Sequence, residues 1–171
     1  MNQTLQRAMR IATFDKPAAR QILFDSSATG DAVLLAAAIE AVVAIAAMIA
    51  LGTFGLGFFV ESVILGVAGW LFLSAAIWLM GTKLLKGTGP IESVFRVTGF
   101  ARLPLLLGAA DGFVGNNLVG QIGLLWYLAL VVVVTGIALN LHWKEALGAV
   151  VLGAAAVLLI QLIFRAPFFR I

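Results

Sequence analysis

Four stretches of this chain run for about twenty residues with hardly a charge between them: 32–52, 62–81, 122–141 and 146–164. An α-helix rises about 1.5 Å per residue, so about 20 apolar residues match a hydrocarbon core about 30 Å thick. Each stretch breaks at residues foreign to lipid: Gly52, Thr53 and Gly55, then Lys83 and Lys86, then His142 and Lys144, then Arg165. With 63% of residues hydrophobic, 11% charged and a mean hydropathy of +1.11, water is the wrong solvent for most of the chain. Soluble domains carry about 25% charged residues. The expected fold class is all-α, a polytopic transmembrane helix bundle.

A fifth crossing is expected at 94–114. Its strictly apolar piece, 103–110, is too short to span alone, and Pro104 would free a backbone carbonyl near Phe100 and bend the helix. Arg102 is expected near the cytoplasmic end, its stem snorkelling to the headgroups. A re-entrant segment is the competing reading. The first apolar run begins after Asp31, behind a charged segment, and exceeds a signal-peptide core, so it reads as a retained span.

Positive charge predicts the orientation. Arg7, Arg10, Lys16 and Arg20 precede the first span, and the link to the second span has no Lys or Arg. Lys83, Lys86 and Arg96 follow the second span, the 115–121 link has none, and Lys144 comes next. Five crossings with a cytoplasmic N-terminus alternate correctly through Lys144 and leave Arg165 and Arg170 outside. A four-span alternative brings those two inside and puts Lys144 outside. The chain divides into a cytoplasmic or interfacial segment, 1–31, and a transmembrane domain, 32–171. Within the first, Leu5, Met9 and Ala12 recur at helical spacing beside Arg7 and Arg10, the pattern of a short amphipathic helix on a membrane surface. Asp15 and Pro17 open a second short helix ending near Phe24, and Asp25, Ser26 and Ser27 are candidate caps for the first span.

From Asp25 onward the order of features resembles the Yip1-domain family, its bacterial members in particular. The resemblance rests on Asp25-Ser26-Ser27-Ala28-Thr29-Gly30, Gly69-Trp70 and Gly81-Thr82. It continues through Glu92, Arg96, Gly99-Phe100-Ala101 and Pro104, then Trp126 and Ala138-Leu139. It implies five transmembrane helices, a cytoplasmic N-terminus and an outward C-terminus. Eukaryotic members are associated with small GTPases, vesicle traffic and membrane shape, and carry an Asp-Leu-x-Gly-Pro motif. This chain lacks the motif, with only Gly89-Pro90 in another place, so GTPase binding is not carried over. For bacterial members the resemblance implies no established chemistry.

Four polar residues are candidates for function. Glu40 sits inside the first span, where a carboxylate is costly and is usually paired or functional. It reads either as a proton or cation site held neutral by a raised pKa, or as packing glue among Ala36, Ala37, Ala44 and Ala47, with Gln161 or Asn140 as partner. Glue is the favoured reading. Asp111, with Asn116, Asn117 and Gln121, reads as a turn whose asparagines cap helices, ahead of a water-filled vestibule. Glu92 and Arg96 are neighbours on one helical face, serving a docking surface or an interfacial anchor equally well. The only histidine, His142, stands beside Trp143 as an anchor and lacks the companions of a metal site. The pairs Gly108/Gly112 and Ala37/Ala41 mean close helix packing.

No catalytic, cofactor-binding or metal constellation is visible, cysteine is absent, and a scattered net charge of +3 argues against nucleic acid. No Gly-rich stretch carries the Lys-Ser/Thr of a nucleotide loop. The expected protein is therefore no enzyme and needs no cofactor. It is a multi-pass protein of the cell (inner, cytoplasmic) membrane that works by association with other membrane proteins or the bilayer, with a homo-oligomer left open. The alternatives are a small ion, proton or solute transporter using Glu40, and an accessory subunit of a larger membrane complex.

Overall fold

Local signals set the helix limits. A computed structural model describes residues 2–114 and 117–164, so Asn116, Arg165 and Arg170 lie outside the described residues. The elements are α1 (Asn2–Ala12), α2 (Lys16–Phe24), α3 (Ala28–Leu51), α4 (Leu56–Lys83) and α5 (Ile91–Phe100). A 3-10 segment (Leu103–Ala110) follows, then α6 (Asp111–Val114), α7 (Leu118–Leu139) and α8 (Trp143–Phe164). Asp15 caps α2, accepting from the Ala18 N–H at 3.0 Å. Gly52, at φ 63°, ends α3 in a left-handed turn that a side chain would strain, and the Thr53 N–H closes back on the Met48 carbonyl at 3.1 Å. Asn140, at φ 53°, ends α7 in the same way.

The described residues are helical and contain no strand. Four helices, α3, α4, α7 and α8, are long and apolar enough to cross a membrane. A fifth crossing exists if α5 and the 3-10 segment, bent by 41°, are taken as one span; the same geometry describes a re-entrant loop. The bend expected near Phe100 is present, and the segment starts a few residues before 94: an α-helix from Ile91 stops at Phe100, and the chain resumes as a tighter 3-10 coil at Leu103. The reason is Pro104, which lacks the N–H that would bond Phe100 and disfavours helical geometry at Leu103.

The long elements pack in a ring, α3 on α4, α4 on α8, α8 on α7, α7 on the 3-10 segment, and that segment on α3. One end of the ring carries Lys83, Lys86 and Lys144 and is called the basic end here. There α5 fills the middle, touching α3, α4 and α7, with Val94, Val97 and Phe100 fully buried. A polar knot ties it in. The Trp70 indole N–H donates to the Thr98 hydroxyl at 3.0 Å, and the Ser74 and Thr98 hydroxyls are 2.8 Å apart. The Thr98 hydroxyl donates to the Val94 carbonyl at 2.7 Å.

The hairpin α1–α2 packs on α5, α7 and the 3-10 segment. Ala8, Ile11 and Ala12 are buried against the bundle, while Leu5 and Met9 remain about half exposed. The expected common face of Leu5, Met9 and Ala12 is thus corrected: Ala12 turns to protein, and its carbonyl accepts from the Trp126 indole at 3.0 Å. Arg7 and Asp25 close the hairpin at 2.7 Å.

Candidate functional site

Glu40 lies midway along α3, and its partner is Arg102, at the break between α5 and the 3-10 segment. An Arg102 guanidinium N–H donates to the Glu40 carboxylate, and the Tyr127 hydroxyl of α7 stands against the same guanidinium. Arg102 is 5% exposed, so it does not snorkel; that expectation is corrected. The cause is the proline break, which delivers the side chain to a carboxylate that would otherwise face a mainly apolar cavity unpaired. Gly66 of α4 makes room for the pair, since a Cβ there would overlap the Glu40 carboxyl group. The expected partners of Glu40 are corrected as well. Asn140 donates to the Thr88 carbonyl at 3.2 Å, and the Gln161 amide nitrogen is buried with no described hydrogen-bond partner.

The pair borders a cavity of about 540 Å³ in the half of the ring away from the basic end. Its walls come from α3, α4, the 3-10 segment, α7 and α8, and are mainly apolar, with Val43, Leu65, Leu105, Leu128 and Leu158 among them. Glu61 adds a second carboxylate. The volume falls in the range of about 300–1,000 Å³ typical of small-molecule sites. An arginine and a carboxylate engaged with each other offer no nucleophile and base. They hold two elements together, or orient the polar end of a small apolar molecule. Among the described residues no group of His, Asp or Glu is arranged to hold a metal.

The other expected site residues are dispersed. Arg96 does not pair with Glu92. Its guanidinium donates to the Thr29 hydroxyl at 2.7 Å and the Leu23 carbonyl at 2.8 Å, tying α5 to the α2–α3 junction, while Glu92 is exposed. Asp111 accepts from the Gly120 N–H at 2.8 Å, so this carboxylate caps the first turn of α7, while Asn117, at the cap position, makes no such bond. The expected asparagine cap is corrected for Asn117; Asn116 is outside the described residues. Gln121 is exposed. His142 and Trp143 stack at a tilt, 6.2 Å between ring centres, with the Lys144 ammonium 5.7 Å from the indole.

The residues of the resemblance sit where helices meet. Asp25 accepts from the backbone and hydroxyl of Ser27 at 3.0 and 2.5 Å, and from Arg7. Those bonds, Ser27 foremost and then Arg7, hold its carboxyl below the usual carboxylate range. Gly30 has open space around it. A Cβ at Gly99 would come within 2.8 Å of both Ala32 and Trp70, and one at Gly81 within 2.5 Å of Leu139. Phe100 is fully buried and Pro104 is buried. The chain matches the Yip1 domain over residues 11–165. It belongs to the Yip1 domain family. No match was found among curated proteins or solved structures. In this Yip1 domain, sequence reasoning missed the Glu40–Arg102 pair, the Trp70–Thr98–Ser74 knot and the cavity. The first had a signal: an acid deep in the first span calls for a base, and Arg102 borders the strictly apolar piece of the third.

Proposed function

We propose that this Yip1-type membrane protein works without catalysis, by associating with other membrane proteins or with the bilayer. The observation that supports this reading best is the commitment of Glu40 to Arg102. The residue with the strongest claim to chemistry ties α3 to the 3-10 segment. Asp111 and Arg96 likewise join one element to the next. In this reading the chain crosses the cell membrane five times, with segment 1–31 on the cytoplasmic face and 32–171 as the membrane domain, as the alternation of Lys and Arg supports. Because cysteine is absent, single cysteines introduced in each link report sidedness directly.

A second reading, ion, proton or small-solute transport, draws on the cavity, which two carboxylates line. Proton and cation flux into liposomes separates the two. The association reading expects native protein to give no more flux than empty vesicles, with Glu40→Gln lowering only thermal stability. Flux that disappears with Glu40→Gln would move the assignment to transport. Cross-linking in native membranes from exposed positions on α8, such as Leu159, then reports partner proteins or a second copy.

A further inference from the structure

Two cations on α2 have no ion-pair partner among the described residues, and they stand over a groove with one apolar wall. Lys16 and Arg20, four residues apart and so on one helical face, line a space of about 390 Å³ between α2 and the C-terminal end of α7. Asn140 and Trp143 border it at the basic end, and Val132, Val133 and Ile137 form its wall along α7. The acids nearest to them in sequence are paired with other cations: Asp15 accepts from Arg10 at 2.7 Å and Asp25 from Arg7 at 2.7 Å. Glu145, next to Trp143 and Lys144 in sequence, accepts from the His142 N–H at 2.9 Å. Neither Lys16 nor Arg20 is in an ion pair among the described residues.

We infer that this groove is a binding site for an anionic phospholipid, its phosphate held by Lys16 and Arg20 and an acyl chain lying on α7. A soluble anion would satisfy the cations but not the wall. From Asn140 to Val132 the apolar face descends eight residues, roughly 12 Å along the helix axis, the direction an acyl chain takes below its headgroup. Trp143 is 59% exposed beside the cations, as an indole at the headgroup level would be. Basic pockets beside membrane helices hold anionic headgroups, each cation contributing about fivefold in affinity. Because α2 carries the cations and α7 the wall, a bound lipid also clamps the N-terminal hairpin to the bundle.

The test uses the full chain. Phosphatidylglycerol retained in detergent is counted by native mass spectrometry, and Tm is compared in phosphatidylcholine vesicles with and without phosphatidylglycerol. In Lys16→Gln/Arg20→Gln, phosphatidylglycerol affinity is expected to fall roughly twenty-five-fold, two cations at about fivefold each, and the lipid-dependent rise in Tm to vanish. Lys83→Gln/Lys86→Gln removes the same charge at the same end but outside the groove, and is expected to keep both. Val133→Trp leaves the cations and obstructs the wall, and is expected to lose retention. Equal loss in the two double variants would overturn the site in favour of diffuse attraction. Inorganic phosphate that raises Tm as well as the lipid does, or unchanged retention in Val133→Trp, would overturn the lipid assignment.

Discussion

The two halves of the helix ring solve the same packing problem differently. At the basic end the middle is occupied by α5, a full α-helix whose Val94, Val97, Thr98 and Phe100 are buried among α3, α4 and α7. In the other half the same stretch of chain continues as a 3-10 coil that packs on α3 and α7, and the middle is a cavity with an ion pair beside it. A single residue, Pro104, separates the two regimes. Filled volume and hydrogen-bonded hydroxyls hold the first half, whereas charge pairing bridges the second. Substitutions that add volume should therefore be costly in the first half and tolerated in the second.

The largest effect is expected where charge does the holding. Arg102→Met leaves the partly buried Glu40 carboxylate without its partner and should destabilise the bundle by about 3 kcal/mol, read from denaturant unfolding in detergent. The double variant Arg102→Met/Glu40→Met should recover most of that loss. A double variant as unstable as the single one would mean the pair is incidental. Next comes added volume at the filled end. Gly99→Ala presses a methyl on Ala32 and Trp70 and should cost about 1–3 kcal/mol. Ala154→Leu, which adds more volume but points to the cavity wall, should change stability by less than about 1 kcal/mol. Equal penalties would erase the distinction between the halves.

Trp70→Phe keeps the ring but removes its donor to Thr98, and should cost about 1 kcal/mol in the same assay. The smallest effect concerns the hairpin at the surface. The Asp25 carboxyl is held below its ordinary range by Ser27 and Arg7, so its contribution is present at neutral pH and is lost as pH falls through that lowered value. Acidification below the usual carboxylate range should loosen α1–α2, read as faster amide exchange in α1. Asp25→Asn should loosen α1–α2 already at neutral pH and flatten the acid response.

Much of this architecture was legible in the sequence because it follows from length and periodicity. Twenty uncharged apolar residues have one stable form in lipid, and Asp15 with Pro17 announced the start of α2. What could not be read was pairing between distant elements. Glu40 and Arg102 are 62 positions apart, and nothing local in either segment names the other. The same holds for Arg96, whose partners Thr29 and Leu23 lie across the α2–α3 junction rather than one turn away at Glu92. Side-chain spacing along a helix ranks neighbours on that helix alone, and here tertiary partners won. Asp111 was read as a turn residue and caps the first turn of α7, accepting from the Gly120 N–H nine positions on.

The tight coil also has a consequence for reach. Winding eight residues (Leu103–Ala110) at about 2.0 Å rather than about 1.5 Å per residue lengthens that stretch by roughly 4 Å. The bend of 41° against α5 shortens its projection on the α5 axis by about the same amount. Together α5 and the coil extend roughly 27 Å along that axis, within a few ångströms of the thickness of a hydrocarbon core. In the five-span reading, hydrophobic match is thus kept across the proline, the pitch of the backbone compensating for its angle.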